Sequence, residues 1–371
     1  MINAHFLMAC LCAATITGLL IAILRPLAGP LGLVDIPTDR KRHLGAVPLI
    51  GGLAMYGGIV AGTLYFGQLG PFRTVVIETA AVMAIIGALD DRHDLSVRVR
   101  LVAQVACVVC VMFSTGVHIT TLGHLFGMPV ELGAGGYVLT VVAVIGLLNA
   151  FNMMDGIDGL AGSQALVSVV TLLAFHGKAD LPGIVVLLSL LGSAALPYLL
   201  VNLGFTRRKV FLGDAGSMVV GYLLAWALIR MAESSDSPVS PTDVLWCVAL
   251  PVLDTLTVMT RRLSHGASPF KPDRGHIHHL LLARGLTPRQ ALIVLVGLST
   301  ILSCIGSITR RLPGETNLMT FLAVTVVYTL IVVREYRRTH PRSQSAVVEI
   351  PPVQAIVKIP LTEEPEPAIA D

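Results

Sequence analysis

The sequence predicts an all-α, polytopic integral membrane protein with about eleven transmembrane helices. Of its 371 residues, 54% are hydrophobic and only 13% are charged, whereas soluble domains carry about 25% charged residues. The mean hydropathy is +0.78, and long apolar runs alternate with short polar segments along the chain. The lipid bilayer is therefore an expected partner, and nothing in the composition indicates binding to nucleic acid.

A helix crosses the hydrocarbon core of a bilayer with about 20 apolar residues. Residues 6–24 are apolar, no basic residue precedes them and Arg25 follows them. This order is the reverse of a secretory signal, so we expect an uncleaved first span. The expected spans cover approximately residues 4–25, 47–66, 73–89, 99–115, 136–151, 158–176, 182–202, 210–229, 242–260, 290–309 and 318–334.

Lysine and arginine predict the orientation, because cytoplasmic loops are enriched in both residues. One set of loops, together with the segment after the last span, contains about nineteen of these residues and the other set about five. We therefore expect a periplasmic N-terminus, a cytoplasmic C-terminus and location in the bacterial inner membrane. Residues 1–338 form the expected membrane domain, and residues 339–371, rich in Pro, Glu and Ser, form an expected disordered cytoplasmic tail.

The most informative stretch is NAFNMMDGIDGLAG, residues 149–162, which lies between two apolar runs. Asn149, Asn152, Asp155 and Asp158 are each three residues apart, which at helical spacing puts them on roughly one face. Such a face is tolerated in a membrane only if it lines a wet cavity or holds a cation. The stretch therefore suggests a site for a hard metal ion, with a polar loop whose aspartates cap the next helix as the alternative.

Two further acidic motifs lie in loops that are predicted to be cytoplasmic. Asp90 and Asp91 end an apolar run, where one would suit a metal ion and the other a base; a solvated helix end paired with Arg92 is the alternative. Asp214 lies in GDAGS at the start of another span, where small residues expose backbone N–H groups suited to phosphate. Asp214 is expected either to cap that helix or to hold a metal ion.

Basic and histidine-rich segments occupy two more of these loops. The first, VDIPTDRKRHLGAVPLIGG, suits either a diphosphate or ordinary membrane anchoring. The last contains Arg274, His276, His278 and His279, and we expect these groups to contact phosphate or sugar. Zinc is disfavoured because no cysteine or spaced fourth ligand is nearby and because His278 and His279 should point apart on a helix. A plain amphipathic surface helix remains the other alternative.

The motifs RKRHLGAVPLIGG, DDRHDLSVRVR, FNMMDGIDGLAG, KVFLGDAGS and SPFKPDRGHIHHL occur in this order, on one predicted face of the bundle. Together they resemble the polyprenyl-phosphate N-acetylhexosamine-1-phosphate transferases over about residues 5 to 335. The match is closest to the bacterial subgroup that uses undecaprenyl phosphate in O-antigen and common-antigen synthesis. The histidine loop lacks the peptide-recognising signature of the peptidoglycan enzyme, which disfavours a peptide-bearing donor.

The resemblance implies that undecaprenyl phosphate attacks the β-phosphorus of a UDP-N-acetylhexosamine, UDP-GlcNAc being the expected donor, with Mg²⁺ or Mn²⁺ as cofactor. It implies Asp214 and Asn152 as metal ligands. The implied catalytic residues are Asp90, Asp91, Asp155 and Asp158, with Asp90 expected to orient the lipid phosphate rather than to remove a proton. The implied substrate-binding residues are Asn149, Arg274, His276, His278 and His279.

Two other classes of protein fit the sequence less well. A CDP-alcohol phosphotransferase would show a D-G-x-x-A-R signature, which the sequence lacks. A cation-coupled transporter would place charges near mid-span and at both faces, and it would often show an internal repeat, which we do not find. The motif Cys107-x-x-Cys110 has no second pair and is expected to pack in a helix rather than to bind metal. The sequence leaves a homodimer open.

The expected orientation can be tested with topology reporters. A reporter inserted near Ser237 should report a periplasmic location, and one near Ser268 a cytoplasmic location, because the intervening span separates a loop with few basic residues from a strongly basic one. Alkaline phosphatase and fluorescent-protein fusions would measure this, and the reverse pattern would invert the predicted orientation.

Overall fold

The structure is a computed structural model that describes residues 4–36, 45–67, 70–176, 182–206, 208–234, 237–266 and 275–339. These residues form thirteen helices and two short antiparallel strand pairs. The helices are α1 Ala4–Leu31, α2 Gly51–Phe66, α3 Pro71–His93, α4 Val97–Thr115, α5 Gly135–Met154, α6 Leu160–His176, α7 Pro182–Asn202, α8 Gly213–Ala232, α9 Asp243–Cys247, α10 Ala249–Ser264, α11 Ile277–Ala283, α12 Pro288–Thr309 and α13 Gly314–Thr339. The strands are β1 Val34–Asp35, β2 Val47–Pro48, β3 Thr121–Leu125 and β4 Met128–Glu131.

The helical, multi-span architecture agrees with the sequence. In the described ranges, eight helices are long and apolar enough to cross a membrane, namely α1, α3, α4, α5, α7, α8, α12 and α13. The apolar helices α2 and α6 are shorter. Each of the eleven expected segments contains a helix, but the number of crossings and the side of each terminus stay predictions. The predicted tail lies outside the described residues from residue 340 onward.

The ninth expected span is not one continuous helix. It is divided into α9 and α10 at Val248, which has φ −128° and ψ 29°. Pro251 explains the break, because it has no N–H to donate to Cys247 and its ring collides with a helical carbonyl four residues earlier. The broken helix brings Asp254 of α10, fully buried, towards one end of the bundle.

The expectation of an all-α chain missed two strand pairs. Val34 and Asp35 pair with Pro48 and Val47. The second pair, β3 and β4, forms a hairpin in the longest loop on the predicted outer face, where the sequence predicts no secondary structure. Phe126 and Gly127 form its turn at φ 53° and 77°, the left-handed geometry that matches the twist of a hairpin.

Helix α8 lies at the centre of the bundle. Nearly every residue of α8 is buried, and the helix packs against α2, α3 and α5. A helix that is buried on all sides is apolar all round its surface, because none of its faces contacts water. Its tyrosine Tyr222 donates to Thr79 of α3 at 2.7 Å, which satisfies a hydroxyl that would otherwise be buried without a partner.

Glycines allow the close packing of α2 and α3 against the start of α8. A Cβ atom at Gly52 would lie 2.1 Å from the Cα atom of Gly216, and one at Gly87 would lie 2.4 Å from the Cα atom of Ala215. The backbones can therefore meet only where the side chain is a hydrogen atom. This packing places the end of α3, with its paired aspartates, beside the first turn of α8.

The chain before α8 is held by the N-terminus of α2. Gly51 and Gly52 donate their backbone N–H groups to the carbonyl oxygens of Phe211 and Leu212, each at 2.9 Å. The N–H groups of a first helical turn have no partner within their own helix. Here they fix residues 211–212, which lead into Asp214.

The close contact at Gly52 predicts a large effect from a single methyl group. Gly52→Ala should lower stability by at least 1–3 kcal/mol, roughly the cost of overpacking a core, because the neighbouring atoms are backbone and cannot rotate away. Gly146→Ala is the matched control, since Gly146 is also helical and a Cβ atom added there would have no neighbour within 4 Å. Thermal unfolding in detergent would measure both, and equal melting temperatures would contradict the packing described.

Candidate active site

A cavity of about 1430 Å³ opens at the end of the bundle where the predicted cytoplasmic loops lie. Its wall is polar and strongly acidic. Seven of the residues singled out from the sequence line it, namely Asp90, Asp91, Asn152, Asp155, Asp158, Asp214 and His279. Asn149, His276 and His278 lie elsewhere, and Arg274 falls outside the described residues.

Asp91 holds the first turn of α8. Its carboxylate accepts the backbone N–H of Asp214 at 2.9 Å and that of Ala215 at 3.3 Å. A carboxylate is stabilised there because these N–H groups have no helical partner and the helix dipole is positive at this end. The sequence left two roles open for Asp214, capping this helix or holding a metal ion. Asp214 does not cap the helix, because Asp91 from α3 accepts these N–H groups; the phosphate and the metal ion stay predictions.

Asp90 is the most deeply buried carboxylate of the cavity, with a side chain only 2% exposed. It accepts the backbone N–H of Leu95 at 2.8 Å and is paired with Arg100 at 2.5 Å. The same guanidinium nitrogen lies 3.7 Å from Asp214. The alternative interpretation of this motif paired the aspartates with Arg92, but the ion pair of Asp90 is formed by Arg100, which α4 contributes.

The two asparagines of the central motif have different surroundings. Asn152 donates through its amide nitrogen to Asp214 at 2.6 Å and to Ser217 at 3.1 Å, which leaves its oxygen for another ligand. Asn149 donates to the carbonyl of Ile145 at 2.7 Å within its own helix. It lines a separate small cavity of about 20 Å³ between α4, α5 and α8.

The motif does not form one helical face as expected. Helix α5 ends at Met154, and Gly159 has φ +76°, a conformation that favours glycine. Asp155 and Asp158 therefore lie in a turn. The turn is held by Asn202, whose side chain accepts from Gly159 at 2.5 Å and donates to Val210 at 2.8 Å.

The two aspartates of this turn differ in their electrostatic surroundings. Burial raises the pKa of Asp155 well above its usual range, and the neighbouring carboxylates of Asp214, Asp91 and Asp158 raise it further. Asp158 instead forms an ion pair with Lys209. Acidic groups so close together cannot all ionise unless a cation compensates them. The cavity is thus chemically suited to bind a cation or a ligand that brings one.

The three histidines divide between the cavity and the protein interior. His279 lines the cavity, whereas His278 is 1% exposed and lies against Gly156 of the central turn. Burial lowers the pKa of His278 to about 3, so its ring is neutral at physiological pH. The expectation that these two rings point apart is wrong, since their centroids are 4.1 Å apart.

His276 is held by a carboxylate that the sequence motifs do not include. Asp254 lies 2.8 Å from Nδ1 of His276 and accepts from the backbone N–H of Ile277 at 2.9 Å and from the hydroxyl of Tyr328 at 3.2 Å. A buried carboxylate requires such partners. Asp254 therefore links α10, α11 and α13, and it fixes the start of the helix that carries His278 and His279.

Simple signals could have revealed the missed residues. Asp254 is the only acidic residue inside the apolar segment 244–260, and an ionisable group inside an apolar run is a candidate functional residue. Arg100 and Lys209 were used only to predict the orientation of the chain in the membrane. Each lies near an acidic motif in sequence, which could have indicated an ion pair. Asn202 gave no signal, because an asparagine at the end of a span usually contacts water.

Within the described parts of the chain, no group of three or more His, Cys, Asp or Glu side chains is arranged to hold a metal ion. A structural zinc centre uses four protein ligands and a catalytic one three. Magnesium is different, because it is usually bound by one or two carboxylates together with water and substrate phosphates. Asp214 and the oxygen of Asn152 match that donor set.

Comparison with known proteins identifies the family. The family model for glycosyl transferase family 4 matches residues 73–232, which include all the aspartates of the cavity except Asp35. An undecaprenyl-phosphate alpha-N-acetylglucosaminyl 1-phosphate transferase from Yersinia pestis is 37% identical over 321 residues, 85% of this chain and 88% of the relative. The chain belongs to glycosyl transferase family 4. The family resemblance inferred from the motifs is thereby confirmed.

Other members of glycosyl transferase family 4 support the same assignment. The protein of the same name from Escherichia coli strain K12 is 38% identical over 330 residues, 86% of this chain and 89% of the relative. The one from Pasteurella multocida strain Pm70 is 37% identical over 295 residues, 78% and 82% of the two chains. The similarity therefore extends well beyond the central helices of the family model.

The contacts of Asp254 predict a local effect on α11. Asp254→Asn should increase the hydrogen exchange of residues 275–283, because the buried site loses a charge-assisted acceptor, worth about 1.5–3 kcal/mol. Exchange in α8 should change little. Thr257→Val is the control, since it removes a 2.9 Å contact between α10 and α13 at Thr329 that does not involve α11. Equal exchange at 275–283 in both variants would contradict this role.

Proposed function

We propose that this chain transfers N-acetylglucosamine 1-phosphate from UDP-GlcNAc to undecaprenyl phosphate, giving undecaprenyl-diphospho-GlcNAc and UMP. The observation that carries this proposal is the acidic cavity at the start of α8, where Asp90, Asp91, Asn152 and Asp214 from three helices converge. The relatives that match most of this chain carry the name of this transferase. The cavity volume of about 1430 Å³ is sufficient for a nucleotide sugar.

The reaction is a phosphoryl transfer between two anions. An oxygen of the lipid phosphate forms a bond to the β-phosphorus of the donor, and the bond from that phosphorus to the bridging oxygen of UMP breaks. Positioning and electrostatic stabilisation supply most of the catalysis in such reactions. A bound divalent cation would screen the repulsion between the substrates and stabilise the departing oxygen.

Mg²⁺ or Mn²⁺ is the cation that the donor set suits, and Asp214 and Asn152 are its proposed ligands. Asp214 has a side chain 34% exposed at the cavity wall. Its backbone N–H is already bound by Asp91, and this contact fixes the position of Asp214. Oδ1 of Asp214 also accepts from Asn152, and its carboxylate, which faces the cavity, would hold the cation at the cavity wall.

Asp90 is better suited to orientation than to proton abstraction. One of its oxygens accepts from Leu95 and the other is paired with Arg100, so both are engaged. A phosphate monoester with a second pKa of about 6 is already largely dianionic at neutral pH. The lipid phosphate therefore needs no general base, and Asp90 acts by fixing the end of α3 through its bond to Leu95.

The remaining cavity residues are assigned to the donor. Lys209, paired with Asp158 at the cavity wall, and His279 are the residues that we propose contact the diphosphate or the sugar. His276 and His278 act through the fold, because they are buried behind the wall. We further propose an active site on the cytoplasmic face of the inner membrane, an initiating role in O-antigen or other surface-polysaccharide synthesis, and a homodimer as a state to be tested.

The proposed activity can be tested with purified protein, undecaprenyl phosphate and a panel of UDP-sugars. UMP release should be fastest with UDP-GlcNAc and should require Mg²⁺ or Mn²⁺. Asp214→Asn should reduce kcat by at least about 100-fold, roughly 2.7 kcal/mol, while the protein remains folded. Glu131→Gln, which changes an exposed acid on the distant hairpin, should leave the rate unchanged.

Two results would contradict the proposal. Lack of UMP release with every UDP-sugar by a folded, lipid-supplied enzyme would reject the reaction. Near-normal turnover of Asp214→Asn at limiting Mg²⁺ would instead reject the metal ligand while leaving the reaction in place.

A further inference from the structure

We propose that Arg100 is an exchangeable counter-ion, whose guanidinium is paired with Asp90 and lies beside Asp214 until a divalent cation binds and displaces it. This inference rests on the proposed metal site at Asp214. It assigns to Arg100 a competition with the metal for the same pair of carboxylates.

One nitrogen of Arg100 lies close to two carboxylates from different helices, which also contact each other. Nη1 lies 2.5 Å from Oδ2 of Asp90 and 3.7 Å from Oδ2 of Asp214. The side chain of Asp90 is 2% exposed, whereas those of Arg100 and Asp214 are 28% and 34% exposed. Arg100 thus bridges a buried acid and a cavity-facing acid, and its contact with the second is loose.

Electrostatic repulsion prevents Arg100 and a divalent cation from occupying the site beside Asp90 and Asp214 together. A cation beside two neighbouring carboxylates favours their ionised forms, and either a guanidinium or a divalent ion can fill that role. Both cannot do so at once, because a divalent ion bound to Asp214 would repel a positive group a few ångströms away. Metal binding must therefore weaken the Arg100 contact, and Arg100 must weaken the binding of the metal.

The turn between α3 and α4 does not need Arg100 to hold it. The backbone N–H of Asp94 donates to the carbonyl of Asp90 at 2.8 Å, and that of Leu95 donates to the Asp90 carboxylate at 2.8 Å. Ser96 caps α4 by accepting from Val99. These bonds remain when the guanidinium leaves, so its departure does not require the helices to move.

Arg100 also has a place to go. Its side chain is 28% exposed, so the guanidinium can rotate towards solvent when its carboxylate contacts are lost. Once released, the guanidinium becomes a donor for a phosphate, which would link metal binding to binding of the lipid phosphate.

Manganese binding without substrates tests the competition directly. We compare the purified wild type with Arg100→Gln by electron paramagnetic resonance of Mn²⁺. If Arg100 competes, removing it should tighten Mn²⁺ binding by about fivefold, roughly 1 kcal/mol. Arg98→Gln is the matched control, because Arg98 is exposed on the same helix turn and its substitution removes the same charge; it should change the Kd by less than about twofold.

The outcomes separate this inference from the metal site on which it rests. Wild-type Mn²⁺ binding that Asp214→Asn leaves unchanged would reject the metal site itself. Binding that Asp214→Asn abolishes, with an equal or weaker Kd in folded Arg100→Gln, would overturn the exchange and leave the metal site in place. A tighter Kd in Arg100→Gln alone would support the exchange.

A second measurement uses the wild-type protein, so that it decides even if Arg100→Gln fails to fold. Phenylglyoxal modifies accessible arginines, and peptide mass spectrometry can follow Arg100 with Arg98 as an internal reference. Mg²⁺ should speed the labelling of Arg100 relative to Arg98, because displacement frees the guanidinium. An unchanged or slower relative rate at saturating Mg²⁺ would overturn the proposal.

Discussion

The rest of the site depends on the contact between the Asp91 carboxylate and the first turn of α8. Asp91 accepts the N–H groups of Asp214 and Ala215, so an acid from one helix completes the N-terminus of another. The contact is possible because Gly87 and Gly213 leave no Cβ in the way; a Cβ at Gly213 would lie 2.6 Å from the Asp91 carboxylate. It fixes Asp214 relative to Asp90, and the cavity takes its shape from that pair.

The second constraint is the accumulation of negative charge. Asp90, Asp91, Asp155 and Asp214 meet at one end of the bundle, and their mutual repulsion is offset by backbone N–H groups and by Arg100. Burial is the main cause of the raised pKa of Asp155, and the charges of Asp214, Asp91 and Asp158 raise it further. Carboxylates clustered in this way favour a bound cation, which is what a reaction between two phosphates requires.

Much of the fold follows from sequence because the physics involved is local. Apolar runs predicted every long helix, since a membrane span must satisfy its backbone internally. The break at Val248 and the hairpin at residues 121–131 were missed. The break depends on one proline inside an apolar run. The hairpin depends on a left-handed turn at Phe126, where the sequence has none of the dipeptides that usually indicate such a turn.

The sequence predicted which residues form most of the site but not which side chains contact each other. The acidic motifs were recognised because buried carboxylates are costly, and the structure brings most of them to one cavity. Three pairings were missed: the carboxylate that caps α8, the arginine that pairs with Asp90 and the acid that binds His276. Each is a contact between elements that are separate in sequence. Asp254 and His276, for example, lie 22 residues apart in sequence and meet only in the folded chain.

The central claim is that the cavity at the start of α8 is where the donor and the metal meet. An experimental structure of the protein with UMP and Mn²⁺ would test it most directly, because manganese can be located by its anomalous scattering. The account predicts Mn²⁺ within coordination distance of Asp214, with the nucleotide phosphate between that ion and His279. Mn²⁺ and UMP bound at a site outside this cavity, with Asp214 unliganded, would contradict it.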